Sequence, residues 1–568
     1  MNSQSQNTSP ASSNFRWVIC ALLFFSTTNN YMDRQVIGYL KDYVFCAPAA
    51  KGGFGWSNTD FSNLTSFFTG VYACFTLVAG WMIDKIGTKL GLALSLIFWS
   101  ICGIVNAFVG SLVTAHIIIR SFFAAGEAGN FPASVKTVAE WFPKRERALA
   151  TAIFNAGSNG GAMVAAFFVP WCIIHFGTSL GWKMAFILTG ASGFFWLIFW
   201  FWLYNPPNKS KRLSKAEYDY IHVDDETKTE KEDEKIGKGA LGEMFSFEGR
   251  IPRAAFWGTS LFVGILTVFV FLMTNLIVID IKNVPIMPLF WYAWLVVALW
   301  ITLTLQAKRW HDLGKSGWLV LINIVPIIGS LASLVVLGFF KGITGSNKFG
   351  GEGNPGLLGH RQSWSFFAGK FMTDGIWWFY LFWLPDYLFK QFHMTPKQVM
   401  LPTFIVFGVA IVGSIYGGSI PMTLIKRGFS VYQARMTTML IIAVCPLAVL
   451  LTQYFGDVNR FDGWAATLAI AMICIGATAH QAWSANLFTT VSDMFPKKTV
   501  ASMVGIGTTA GGVGGVIVQK IAGKLTDHYK ATPETAYLIM FVICAFSYLI
   551  AWTIMKILVP RHKPITDL

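Results

Sequence analysis

Apolar residues run in stretches of about twenty, the length a helix needs to cross a bilayer. Six of them fall at about 15–40, 62–83, 90–110, 112–136, 148–176 and 182–204, and six more at 366–390, 399–422, 432–454, 462–490, 499–524 and 534–557. The pattern predicts an all-α polytopic membrane protein of two six-span halves with an insertion between spans 6 and 7.

The interruption divides in two. A cytoplasmic linker, 205–243, is rich in Lys and Glu and carries LSKAEYDYI, in which Ser214 and Glu217 have the spacing of a capping box opening a short surface helix. A membrane domain, 244–350, follows, so that the halves are 1–204 and 351–568. The insert holds three apolar segments, near 254–279, 286–306 and 317–340, and an odd number of crossings would invert the second half. Basic residues flank the last segment on both sides, Lys308, Arg309 and Lys315 before it and Lys341 and Lys348 after it. By the bias of basic loops to the cytoplasm, that segment is expected to be a re-entrant hairpin bending near Pro326 and Gly329, shielded by protein.

At 54% hydrophobic and 13% charged over 568 residues, the composition excludes a soluble protein. The net charge of +15 therefore does not point to nucleic acid, because the basic residues cluster in short loops between spans, where they set orientation. Both termini are expected on the cytoplasmic side of a bacterial inner membrane. The first fourteen residues lack a basic signal-peptide region, and the apolar stretch from Phe15 is too long for a cleaved one. Seven of the eight cysteines lie in apolar spans with no CxxC pattern, which fits packing rather than disulfides or metal.

The segments WFPKRERALATAIFNAGSNGGA (141–162) and MFPKKTVASMVGIGTTAGGVGG (494–515) share the spacing from Phe-Pro to a run of small residues, so the halves read as duplicates. Gly157, Gly160 and Gly161, and Gly511, Gly512, Gly514 and Gly515, would let helices approach closely in lipid.

Asp33, Arg34, Arg120 and Glu127 lie inside otherwise apolar spans. Charge at bilayer depth costs at least a few kcal/mol and marks a solute or proton pathway, the competing reading being an ion pair that locks helices together. Arg120 and Glu127 are seven apart and share a face of span 4. Arg34 offers a planar fork for a carboxylate, and Asp33 and Glu127 could exchange protons as Arg34 changes partner. A sugar acid needs such a cation, hydrogen-bonding groups and an aromatic wall. His480, Gln481, Ser484 and Asn486 supply polar groups in span 10 and Asn159 in span 5, with Gln481 and Asn486 preferred for hydroxyls. For His480, a hydrogen bond to a neighbouring helix is favoured over proton relay. Among Trp377, Trp378 and Tyr380, Tyr380 is the preferred stacking contact, against packing as the common role of such rings.

Between spans 2 and 3, GWMIDKIGTKLG places Gly80, Asp84, Lys85, Gly87 and Lys89 in a pattern that resembles the cytoplasmic loop motif of the major facilitator superfamily, a conformational latch; GGSIPMTLIKRG (417–428) lacks the acid. NNYMDR (29–34), the Arg120–Glu127 spacing, WFPKRERA (141–148), FWLPDYL (382–388), GKFMTDGIWWFYLFWLP (369–385) and IAMICIGATAHQAW (from Ile470) resemble the anion:cation symporter family within that superfamily, and its hexuronate-transporting members in particular. Gly375 stands where that pattern has proline. Aldonate-transporting relatives carry glutamine where this chain reads Ser158-Asn159, which argues against an aldonate.

The resemblance implies a major facilitator fold and proton-coupled import of galacturonate or glucuronate by alternating access. It places Arg34 at the carboxylate and matches Tyr31 and Tyr72 to cavity-lining positions. No cofactor beyond the coupling proton and no metal are expected; the partners are the organic anion, protons and lipid, and the protein is expected to act as a monomer. The alternatives are a symporter of another organic anion such as an aldarate or aldonate, or a nutrient sensor that keeps the fold without transporting. No Walker loop or HExxH motif supports ATP-driven or zinc-hydrolase chemistry. In the insert, GRIPRAAFW (249–257), KRWHDLGKSGW (308–318) and GITGSNKFG (342–350) resemble a small bacterial membrane-domain family of unknown function, a docking place for an unidentified partner. Its His311-Asp312 reads as a charged turn rather than a metal site.

Overall fold

The computed structural model describes residues 14–222, 245–280, 286–325, 327–350, 356–495, 497–561 and 565. The first half comprises α1 (Phe15–Leu40), α2 (Asn58–Ile86), α3 (Thr88–Val105), α4 (Val113–Glu127), α5 (Asn130–Trp141) and α6 (Lys144–Leu203). α6 is two spans joined at Gly177, whose φ of 74° only glycine adopts without strain. The stretch GTSLG (177–181) has the spacing of a hydrolase nucleophile elbow, but it forms this helix-to-helix turn and not the strand-to-helix turn that chemistry requires. The stretch expected as one span at 112–136 is split between α4 and α5. There a Cβ on Gly126 would come within 2.9 Å of the Trp99 nitrogen, so the backbone of α4 rests directly on α3 and Glu127 turns inward.

The short α7 (Lys215–Ile221) follows. Ser214 accepts from the Glu217 amide at 3.2 Å, but the Glu217 carboxylate does not close the expected box. It accepts instead from the amides of Phe15 and Arg16, each at 3.1 Å, and pairs with the Arg16 guanidinium at 2.9 Å. Glu217 thus caps α1, where a negative charge meets the positive end of the helix dipole, and α7 is docked on the bundle. Residues 223–243 of the predicted linker lie outside the described residues.

The insert contains α8 (Arg253–Asp280), α9 (Ile286–Asp312), a 3₁₀ segment Gly317–Ile324, and α10 (Ile328–Phe339). Its three sequence motifs meet at one buried ionic knot. Arg250 pairs with Asp312 at 3.0 Å and Arg309 pairs with the other carboxylate oxygen. Their remaining N–H groups donate to the carbonyls of Leu337 (2.9 Å), Phe340 (2.5 Å), Ile343 (2.6 Å) and Gly345 (2.6 Å). His311 stacks on Phe349 at 3.9 Å and its Nδ1 sits 3.0 Å from the Gly249 carbonyl. The 3₁₀ segment runs back along α9, with Asn323 donating to Gln306 at 2.5 Å, and the chain reverses at Ile327 (φ 63°). α10 then returns the chain to Arg309. Pro326 lies outside the described residues.

The second half comprises α11 (Arg361–Phe392), α12 (Pro396–Lys426), α13 (Val431–Val444), α14 (Ala465–Met494), α15 (Lys497–His528) and α16 (Pro533–Leu558). α11 continues unbroken through Gly375. The halves meet along three helix pairs: α2 on α15, α6 on α12, and α1 on α11. Among the described residues seven helical stretches are long and apolar enough to cross a membrane, and α1, α2, α11 and α15 are not among them. Those four carry buried polar side chains such as Arg34, Thr65, Asp386 and Gln519, which lipid does not reach.

Candidate functional site

Arg34 is the centre of the interface. Its guanidinium donates to Glu127 on α4, with Nε at 3.1 Å and Nη2 at 3.0 Å from the same carboxylate oxygen, and to Asn30 one turn earlier at 3.3 Å. Four rings close around it: Tyr31 at 4.5 Å, Tyr72 at 4.6 Å, Trp378 at 5.0 Å and Phe68 at 5.2 Å. Three rings belong to the first half and Trp378 to α11 of the second, so the cage exists only when the halves are together. Aromatic faces hold a guanidinium without neutralising it, which leaves it able to bind an anion.

The neighbouring charges do not simply pair off. Arg120 lies against Phe123 (4.2 Å) and Phe68 (5.1 Å) and donates weakly to the Arg34 carbonyl at 3.4 Å. Asp33 accepts from Trp99 at 3.2 Å and Asn29 at 3.4 Å, on the α3 side. Among the described residues Asp33 Oδ1, Glu127 Oε1, Arg120 Nε and Arg120 Nη1 are buried with no hydrogen-bond partner. A buried carboxylate oxygen left bare is costly.

On the second-half side, Trp377 stacks flat on His480 (5.0 Å, 7°), whose Nδ1 is 2.8 Å from the Tyr548 hydroxyl on α16. Gln481 is buried beside it and Ser484 is half-buried, while the oxygen of Asn159 is buried without a partner among the described residues. Two candidates are held within the second half. Asn486 gives its amide N–H groups to the carbonyls of Gly417 (2.8 Å) and Ala482 (2.9 Å), stapling α14 to α12, while its oxygen is buried without a partner among the described residues. Tyr380 points into the second half, its hydroxyl 2.6 Å from where a Cβ on Gly476 would stand, because it lies two positions past Trp378 and so on another face of α11. Of the rings around Arg34, Phe68 is the one that sequence reading did not single out, and Trp378, weighed there behind Tyr380, is the span-7 aromatic that meets the guanidinium.

A second polar cluster sits at the end of the bundle remote from Arg16. Lys41, in a π-helical turn after α1, pairs with Asp386 of α11 and donates to Asn58 at 2.7 Å. Lys390 pairs with Asp386 at 2.9 Å, and Tyr537 of α16 donates to the same carboxylate. Asp527 of α15 accepts from the amides of Asn58 (3.0 Å) and Thr59 (2.6 Å), capping α2 across the interface. Trp383 and Thr65 both donate to Gln519, at 2.5 and 3.2 Å. Among the described residues the hydrogen bonds between halves occupy this remote half of the helices, reaching inward as far as Thr509 on the Ala73 carbonyl (3.3 Å). The bundle is clasped at this end.

Of the predicted latch, Gly87 takes φ 83° between α2 and α3, and Lys89 donates to Asn205 at 2.9 Å, tying α3 to the end of α6. Gly80 has room to spare, a Cβ there standing 4.0 Å from Pro132. The side chains of Asp84 and Lys85 lie outside the described residues. Among the described residues no three His, Cys, Asp or Glu side chains are grouped to hold a metal ion.

The sequence profile of the Major Facilitator Superfamily matches residues 23–349. The hexuronate transporter of Escherichia coli (strain K12) is 24% identical over 542 residues, covering 95% of this chain and 94% of its own. A galacturonate transporter of Dickeya chrysanthemi is 31% identical over 210 residues, 36% of this chain and 56% of its own. Among solved structures, an inward-facing bacterial homolog of the human lysosomal transporter Spinster shares the fold, with a TM-score of 0.56 at 14% identity over 98% of this chain and all of that one.

Proposed function

We propose, since this chain belongs to the Major Facilitator Superfamily, that it is a proton-coupled symporter carrying hexuronates, galacturonate or glucuronate, inward across the bacterial inner membrane, with both termini cytoplasmic. It is a transporter and not an enzyme. The observation that carries the reading is Arg34, a caged guanidinium whose one anionic partner, Glu127, is itself protonatable and already lacks a partner for its second oxygen. Protonation of Glu127 releases Arg34 to a substrate carboxylate, and loss of that proton expels the substrate. The relatives' activities, hexuronate and galacturonate transport, match the chemistry such a site selects.

Coupling is needed because moving one negative charge into a cell costs about 2.3 kcal/mol per 100 mV, which one co-transported proton cancels. With the cytoplasm on the Arg16 side, the Lys41–Asp386 clasp closes the periplasmic end. The test is uptake of radiolabelled galacturonate and glucuronate into proteoliposomes under an inward proton gradient. Gradient-driven uptake abolished in Arg34→Ala supports the reading, and wild-type protein that takes up neither anion overturns it.

A further inference from the structure

One charge pair in the interface has no part in the site described above. Lys370 and Asp374, one turn apart on α11, form an ion pair at 2.6 Å, with side-chain exposures of 7% and 17%. Lys370 also lies over the Phe488 ring at 4.6 Å. Packing does not explain the pair. Both residues are on one helix, so the bridge ties no two elements together, unlike Lys41 with Asp386. Pairs at i,i+4 contribute about 0.3–0.5 kcal/mol when exposed, and the order here, cation before anion, is the weaker one. Withdrawing two charges from water costs several kcal/mol per ion.

The pair shares a helix face with the ring that covers Arg34. Lys370, Asp374 and Trp378 are spaced i, i+4, i+8 and line one face of α11, and Trp378 is the second-half ring over Arg34. The Asp374 carboxylate acts electrostatically on Tyr31 and Tyr72, both of which touch Arg34, and Lys370 acts on His480. On the α15 side a Cβ on Gly511 would run into the Asp374 carboxylate, so a glycine makes room for that group. Eight residues of helix, about 12 Å along the axis, separate Lys370 from Trp378. That span suits a six-carbon chain once a hydrogen bond at each end, about 3 Å, is added.

We propose that Lys370 receives the end of the substrate opposite the carboxylate held by Arg34, and that Asp374, by neutralising Lys370, restricts the site to substrates with one negative charge. The inference rests on the hexuronate reading and deepens it. In the empty site each cation, Arg34 and Lys370, faces its own carboxylate. A hexuronate brings one carboxylate to Arg34 and only hydroxyls and the anomeric oxygen to Lys370, which keeps Asp374 as its counter-ion. A hexarate brings a second carboxylate, and Asp374 repels it.

The experiment measures uptake of galacturonate and of galactarate by wild type, Asp374→Asn and Lys370→Met in proteoliposomes, with melting temperature recorded for each. Asp374→Asn is expected to shift the galactarate-to-galacturonate ratio toward the dianion by roughly tenfold or more, the scale of an unmasked interfacial charge. Lys370→Met, which leaves the carboxylate bare, is expected to weaken galacturonate binding by a similar factor; if Asp374→Asn does not fold, this variant carries the test. A ratio that stays at the wild-type value in a folded Asp374→Asn, or undiminished galacturonate binding in Lys370→Met, overturns the proposal and leaves the hexuronate reading standing. Wild-type protein that takes up no hexuronate overturns both.

Discussion

Asp33 and Arg34 are consecutive on α1 and serve different helices: Arg34 donates to Glu127 of α4 at 3.0 Å, while Asp33 accepts from Trp99 of α3 at 3.2 Å. Successive residues on a helix project about 100° apart, so the two charges point into separate spaces although they touch in sequence. Glu127 is therefore the acid in contact with Arg34, and Asp33 faces α3.

Glu127→Gln is expected to keep substrate exchange and lose concentrative uptake. Gln holds the shape of the site and carries no exchangeable proton. With a potential of 100 mV, the loss of one coupled proton lowers accumulation of a monoanion by about fifty-fold, from about 2.3 kcal/mol. Counterflow and gradient-driven uptake measured on the same vesicles separate the two activities, and equal loss of both would assign Glu127 to binding alone.

Removing Asp386 should open the clasp. Asp386→Ala takes from buried Lys41 its nearest carboxylate and leaves only Asp42 at 3.5 Å, which costs at most about 3–5 kcal/mol and weighs on the clasped state alone. The reporter is a cysteine at Thr69, buried between α2 and α15, in a cysteine-free background. An impermeant maleimide added from the periplasmic side should label it faster in Asp386→Ala than in the parent.

Adjacent glycines should differ. A Cβ on Gly161 would stand 2.8 Å from the Met32 nitrogen and from Tyr31 Cβ, whereas one on Gly160 would meet only Thr28 Oγ1 at 3.4 Å and Phe24 at 3.6 Å. Gly161→Ala is expected to lower stability by about 1–3 kcal/mol and to weaken transport by displacing Tyr31 from Arg34. Gly160→Ala should be near neutral in both, by thermal melting and uptake.

A cysteine at Ser330, just past the reversal of the insert's last segment, should resist impermeant maleimide from the periplasm. The segment leaves and returns at the level of Arg309, through Gln306–Asn323 on the way in and Arg309–Phe340 on the way back. Labelling of that cysteine from outside would mean a full crossing.

The helices were legible because bilayer spans are long and apolar: α1 begins and ends where the apolar pattern does, at Phe15 and Leu40. The charged centre was legible for the converse reason, since Arg34, Arg120 and Glu127 interrupt that pattern. Partner choice was not, because whether Arg34 meets Asp33 or Glu127 depends on how α1 is rotated against α4. The surroundings of Asn486 and Tyr380 were hidden for the same reason: only helix rotation reveals that the amide N–H groups of one meet backbone carbonyls and that the other lies in the second half. Lys370 and Asp374 carried the very signal that exposed Arg120 and Glu127, charge at helical spacing in an apolar run, and went unread. Arg16 with Glu217 had no local signal at all, since their 201-residue separation is closed only by the fold.

The insert does not hang from the middle of the chain as a free appendage. The backbone of α8 at Gly258 lies against the Leu358 carbonyl just ahead of α11, and Phe262 meets Phe367 within α11 itself at 6.4 Å. α11 is the helix that bears Trp378 over Arg34 and Asp386 in the clasp. A substitution at Gly258 or Phe262 therefore bears on the same helix that carries both the cage and the clasp.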